Sequence, residues 1–256
     1  MKLNSKHILF VISMGIFMYL MVIAVLSPLR FRNQLHQKAL SDSLFMLSIN
    51  PSFSNPVVKP LVKIEAYKQS LLQLSRFDSI GLSVNLADSS IMLKLKGLVL
   101  YDSDVVDFKV DPVLKGLRIA AYLNSFSRPL ESVASYSSFQ KEPIVVKKAP
   151  ATPEEALAIA TLPDSIPLVP AYFWIELNNG IKLFIVQDDC KSSMERKVKR
   201  KYKRDLHRLR IENVFKSALN PSEYHYSPTI IIEINADAAI TIFRALPVFT
   251  KVSLIF

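Results

Sequence analysis

A single cysteine, Cys190, stands in 256 residues, so no disulfide can form within the chain and any fold must be held by packing alone. Five glycines leave no phosphate loop and no Gly-x-Gly-x-x-Gly turn, which excludes the common nucleotide-binding fingerprints. The four histidines, His7, His36, His207 and His225, never occur at His-x₃-His or His-Glu-x-x-His spacing, so no zinc site is expected. Asp102, Asp104, Asp107 and Asp111 lie close in sequence but lack the glycine and terminal glutamate of a calcium loop, and they read as strand edges and turns. Cys190 is followed by Lys191, which favours a thiolate, but Asp188 and Asp189 oppose it and no general base is in view. The expectation is therefore a chain with no catalytic constellation, no metal and no cofactor.

Charge is present and is concentrated. The formal net charge is +10, which suits an acidic partner such as anionic lipid, a carboxylate-rich polymer or nucleic acid. Between Lys191 and Arg210 ten Lys or Arg residues meet two acids, Glu195 and Asp205, so this stretch alone supplies +8. The rest of the chain is nearly neutral, which makes a nucleic-acid-coating protein a poor description.

Apolar residues are also abundant: they make up 50% of the chain and mean hydropathy is +0.24. The longest run, Ile8 to Leu29, is ILFVISMGIFMYLMVIAVLSPL, without one charge. At about 1.5 Å per residue this run reaches roughly 33 Å, close to the thickness of a bilayer's hydrocarbon layer. It exceeds the apolar core of a cleaved signal and lacks an Ala-x-Ala exit, so a retained signal anchor is expected. Lys2 and Lys6 precede the run and Arg30, Arg32 and Lys38 follow it, a near tie in flanking charge. The short basic tail before a long apolar segment favours an inner (plasma) membrane protein, single-pass, with its folded part outside the cytoplasm.

After the anchor the expected fold is α+β. The chain divides into a tail (1–7), the anchor (8–29), a helical stalk or helix pair (30–78), a β-rich subdomain (79–142), a proline-rich crossing (143–170) and an α+β subdomain (171–256). Leu35, Leu40, Leu44 and Leu47 recur at helical intervals over 31–49, as do Leu61, Ile64, Tyr67, Leu71 and Leu74 over 60–76. From Gly81 to Asp111 the period shortens to two, the mark of half-buried antiparallel strands, with turns expected at 87–90 and at Asp102-Ser103-Asp104. Arg118 to Leu123 reads as a strand. Six prolines between 143 and 170 mark the crossing, where Thr152-Pro153-Glu154-Glu155 opens a short helix. The last part reads strand (171–177), turn (178–180), strand (181–187), basic helix (191–210), strand (229–234), helix (236–246) and strand (251–256). Its closing strand-helix-strand has a connection long enough for a parallel βαβ unit.

The basic helix carries the candidate site. Met194, Val198, Tyr202, Leu206 and Leu209 share one face, and Lys197, Lys199, Arg200, Lys201, Lys203, Arg204 and Arg208 fill the remainder. These seven side chains are candidate contacts for anionic headgroups or a cell-wall polymer, with a protein partner also open. Nucleic acid is disfavoured because Tyr202 is the only aromatic within the basic run. The tail DAAITIFRALPVFTKVSLIF is similar in pattern to the end of L,D-transpeptidase domains, where a Ser-His-Gly-Cys motif comes first. Here Tyr226-Ser227-Pro228-Thr229 stands in that place, so the resemblance implies no site.

The expected function is that of a non-enzymatic, membrane-anchored envelope protein that scaffolds or tethers partners near the membrane or cell wall. The alternatives are an enzyme-like domain acting on an envelope polymer, and a cytoplasm-facing basic domain that contacts nucleic acid or anionic lipid.

Overall fold

In a computed structural model, residues 5–41, 55, 57–141, 170–188, 192–220 and 226–256 are described, apart from the side chains of 5–8, 40 and 41. The chain is a mixed α+β protein in which one long apolar helix leads into a closed eight-stranded β-barrel.

Helix α1 (Ser5–Ser41) runs unbroken through the apolar segment and beyond it, with Pro28 inside. It contains the one stretch among the described residues long and apolar enough to cross a membrane. Pro28 removes one backbone donor, yet the helix continues, so the apolar segment and the residues after it form one rod. The remainder of the stalk expected to reach residue 49 lies outside the described residues. Helix α2 (Val58–Leu74) follows, and α1 and α2 both pack on a later helix, α4 (Ile119–Phe126).

The first three strands are β1 (Gly81–Asn85), β2 (Ser90–Leu95) and β3 (Leu98–Val110). The expected turn at 87–90 joins β1 to β2, but the second turn is Lys96-Gly97 and not Asp102–Asp104. Both Lys96 (φ 51°) and Gly97 (φ 86°) sit in the left-handed region that a tight two-residue hairpin requires. Inside the run IMLKLKGLVL a lysine and a single glycine thus reverse the chain, while Asp102 to Asp104 stay within β3 and pair with β2.

A short helix α3 (Pro112–Lys115) is capped by Asp111, whose side chain accepts from the Val113 amide. Next comes α4, where a strand is expected at 118–123. That stretch is apolar almost throughout, so periodicity cannot separate a buried strand from a buried helix. Ala120, Ala121, Tyr122, Leu123 and Phe126 are all buried in α4, and the two alanines favour the helical choice. Strand β4 (Leu130–Ser137) takes up the Ser- and Tyr-rich run.

The second part holds β5 (Tyr172–Leu177), β6 (Lys182–Gln187), α5 (Ser193–Leu219), β7 (Thr229–Ile234), α6 (Ala236–Ala245) and β8 (Lys251–Ile255). Around the barrel the order is β1-β2-β3-β7-β6-β5-β4-β8. Strands from either side of the crossing therefore close one sheet: β3 pairs with β7, β4 with β5, and β8 with both β1 and β4. The crossing itself and its capped helix at 152–160 fall outside the described residues.

The parallel crossover also differs from the expected one. β7 and β8 are not neighbours; the parallel pair joined by a helix is β6 and β7, in the register Leu183↔Ile230, with α5 as the connection. Such a strand has both faces covered and so loses its polar alternation. On β6, Leu183 and Ile185 join the main core, while Phe184 and Val186 face a second cluster beneath α5.

Candidate functional site

Helix α5 begins where the sequence supplies a capping box. The Ser192 side chain accepts from the Glu195 amide, and Glu195 accepts from the Ser192 amide, satisfying two donors that a helix start leaves open. The helix then runs past the expected end at Arg210 to Leu219.

Its apolar face is used internally. Tyr202, Leu206 and Leu209 are buried against Tyr172, Phe184, Val186 and Ile231 of β5, β6 and β7. The Tyr172 hydroxyl donates to Asp205 at 3.1 Å, pinning the middle of the helix to the sheet. With that face occupied, most of the basic residues point away from the sheet. Lys197, Arg200, Lys203, Arg204 and Arg208 are exposed, and Lys199 and Lys201 are half-buried.

Between α5 and the β4-β5-β6 face lies a groove of about 290 Å³ lined by Tyr136, Trp174, Lys182, Phe184, Lys201, Asp205, Arg208, Leu209 and Glu212. Tyr136 and Trp174 stack at 6.2 Å with 24° between their rings. Lys201 sits 4.6 Å from the centre of the Tyr136 ring and donates to the hydroxyl of the same residue. Lys182 lies 4.9 Å over Trp174 and pairs with Glu176 at 3.1 Å. At the far end Glu212 pairs with Lys216 at 2.7 Å, and the hydrogen bond from Lys216 holds its carboxyl below the usual range.

Chemically the groove offers flat aromatic faces with cations beside them, which is equipment for binding. Beneath the groove two phenols are kept neutral: burial pushes Tyr202 up to about 12, and burial together with the Asp205 carboxylate raises Tyr172 as well. Two of the seven sequence candidates, Lys201 and Arg208, reach this groove. Trp174, Tyr136 and Lys182 were not anticipated. Their one legible signal is Tyr172-x-Trp174, two aromatics on the same side of a strand.

The other candidates are dispersed. His36 accepts from the Arg118 amide at 3.2 Å, and His207 is exposed on α5. Asp111 caps α3 and accepts from the Tyr226 hydroxyl at 2.7 Å. Among the described residues no group of three His, Cys, Asp or Glu side chains could hold a metal. Cys190, Lys191, His225 and the side chain of His7 lie outside the described residues. The tail that resembles L,D-transpeptidases forms α6 and β8, and Tyr226-Ser227-Pro228 leads into β7. No family model, curated protein or solved structure matches the chain.

Proposed function

We propose that this chain is a single-pass membrane protein of a bacterial envelope, anchored by residues 8–29, whose barrel has a non-enzymatic scaffolding or tethering role close to the membrane. The observation that carries this reading is the junction of α1 with the barrel. The apolar helix continues without a break to Ser41, and Ile23, Ser27 and Ala39 along it are buried. A flexible linker would let the barrel wander; a rod packed at three levels keeps one face near the bilayer and presents the rest to partners.

The exposed Lys and Arg of α5 extend the reading to anionic surfaces, either lipid headgroups or a cell-wall polymer. One observation favours a second reading, in which the barrel binds or acts on an envelope polymer: the stacked Tyr136–Trp174 pair in a groove edged by Lys182, Lys201 and Arg208.

The test is sidedness. With an epitope placed after Phe256, protease applied outside right-side-out vesicles should remove the tag, and inverted vesicles should protect it. The opposite pattern would end the envelope reading and leave inner-leaflet lipid or nucleic acid as the partner of α5.

A further inference from the structure

Exposed large apolar side chains on α5 occur in an order. The face opposite the buried stripe carries Arg200, Arg204 and Arg208 and then, at spacings of three and four, Ile211, Phe215 and Leu219. The last three are 57%, 53% and 79% exposed. One outward stripe thus changes from arginine to hydrocarbon between residues 208 and 211.

That change coincides with the place where α5 meets α1. Asn213 and Ser217 turn inward, and the Ser217 hydroxyl lies 3.2 Å from that of Ser27. The Tyr19 hydroxyl donates to the Ala218 carbonyl at 3.3 Å. Arg210 and Val214 share a pocket with Ala24 and Pro28. Residues 210 to 218 of α5 therefore lie beside residues 19 to 28 of α1. With about 1.5 Å of rise per residue, Phe215 and Leu219 each stand about 3 Å along α5 from Ser217, on the part of the helix that lies beside the apolar segment of α1.

We infer that the last two turns of α5 enter the surface of the same bilayer that α1 crosses, so that two helices grip the membrane. Phe215 and Leu219 lie at the acyl-chain boundary, Ile211 sits among the headgroups, the long side chain of Arg208 reaches the lipid phosphates, and Arg204 stands one turn further toward water. The occupant of this face is lipid because the stripe lies on the part of α5 that packs beside α1, whose own outer surface is exposed and apolar, and because its polarity follows the polarity of a bilayer. An amphipathic segment of this kind buries its apolar side about 5–10 Å deep and is favoured by anionic lipid. The inference rests on the reading that α1 spans the membrane.

Both are tested by spin labels on the full chain with Cys190→Ser, placed one at a time at Ile16, Arg204, Phe215 and Leu219. The chain is reconstituted in phosphatidylcholine–phosphatidylglycerol vesicles, and collisions with oxygen, which concentrates in lipid, are compared with those of a water-soluble nickel chelate. The expected oxygen-to-nickel ratio is high at Ile16, Phe215 and Leu219 and severalfold lower at Arg204. A high ratio at Ile16 with nickel-accessible labels at 215 and 219 would leave the anchor standing and overturn the second contact. Low collision rates with both probes at 215 and 219 would mean that protein covers this face, which also overturns it. Nickel access at Ile16 would remove the anchor and the inference together.

Discussion

Ser27 of α1 and Ser217 of α5 face each other with their hydroxyl oxygens 3.2 Å apart and both side chains buried. Small residues at this crossing let two helix backbones approach closely, and the hydroxyls give each other a partner away from water. Replacing Ser217 with Leu should force the helices apart and cost about 1–3 kcal/mol, as overpacking does. The pair Ser27→Cys and Ser217→Cys, with Cys190→Ser, should form a disulfide under mild oxidation, since the hydroxyl oxygens that the sulfurs would replace are 3.2 Å apart. Free-thiol counting by mass spectrometry reads the result, and two thiols persisting under oxidant would mean that α5 does not stay on α1.

The two faces of α5 should separate stability from surface chemistry. Leu206 is buried against the sheet, so Leu206→Ala should destabilise the protein by about 2–5 kcal/mol. Arg204 is exposed two residues away, and Arg204→Gln should stay within about 0.5 kcal/mol of the parent. Urea unfolding in detergent distinguishes them, and equal losses would mean that the helix is held by its charges.

How far the sequence was legible follows from what each residue's neighbours make of it. The long apolar helix, the hairpin at Asn178–Gly180 and the amphipathic nature of α5 were readable because each is a local pattern. Strand order was not: β8 pairs with β1 across the whole chain, and nothing near Val252 or Leu82 encodes the other. The helix at 119–126 was misread because an apolar run carries no period. The groove was missed for a related reason, since Trp174 on β5, Tyr136 on β4 and Lys201 on α5 become neighbours only once the barrel has closed.

The turn at Lys96-Gly97 gives a test confined to the backbone. At φ 86° an alanine in place of Gly97 would hold its Cβ against the backbone, at a cost of about 1–2 kcal/mol. Lys96 sits at φ 51°, where asparagine is better tolerated, so Lys96→Asn should be neutral or slightly stabilising. The melting temperature should fall for Gly97→Ala and stay or rise slightly for Lys96→Asn; a neutral Gly97→Ala would place the reversal elsewhere.

The basic face should act as a unit. Replacing Lys197, Lys199, Arg200, Lys201, Lys203 and Arg204 with Gln removes six charges from a helix whose packing uses Tyr202, Leu206 and Leu209. Detergent-solubilised variant should leave a polyanion column at lower salt than the parent, with each basic residue near a charged surface contributing on the order of 1 kcal/mol. Co-elution would strip these residues of any role in anion binding.

Alkaline pH should unfold the protein through its phenols. Burial and the Asp205 carboxylate raise the Tyr172 hydroxyl well above its ordinary value, burial and the hydrogen bond to Asp111 do the same for Tyr226, and burial carries Tyr202 to about 12. In the unfolded chain these groups ionise near about 10. Above that pH the unfolded state holds fewer protons than the folded one, so stability is fully present below about 10 and is lost as pH climbs toward 12. Phenolate absorbance should therefore show the buried tyrosines ionising only as the circular dichroism of the fold collapses. Asp205→Asn removes the carboxylate beside Tyr172 and should bring that phenol's ionisation to lower pH without moving Tyr226. A single reversible step for all nine tyrosines with the fold intact would show that the cluster beneath α5 is open to water.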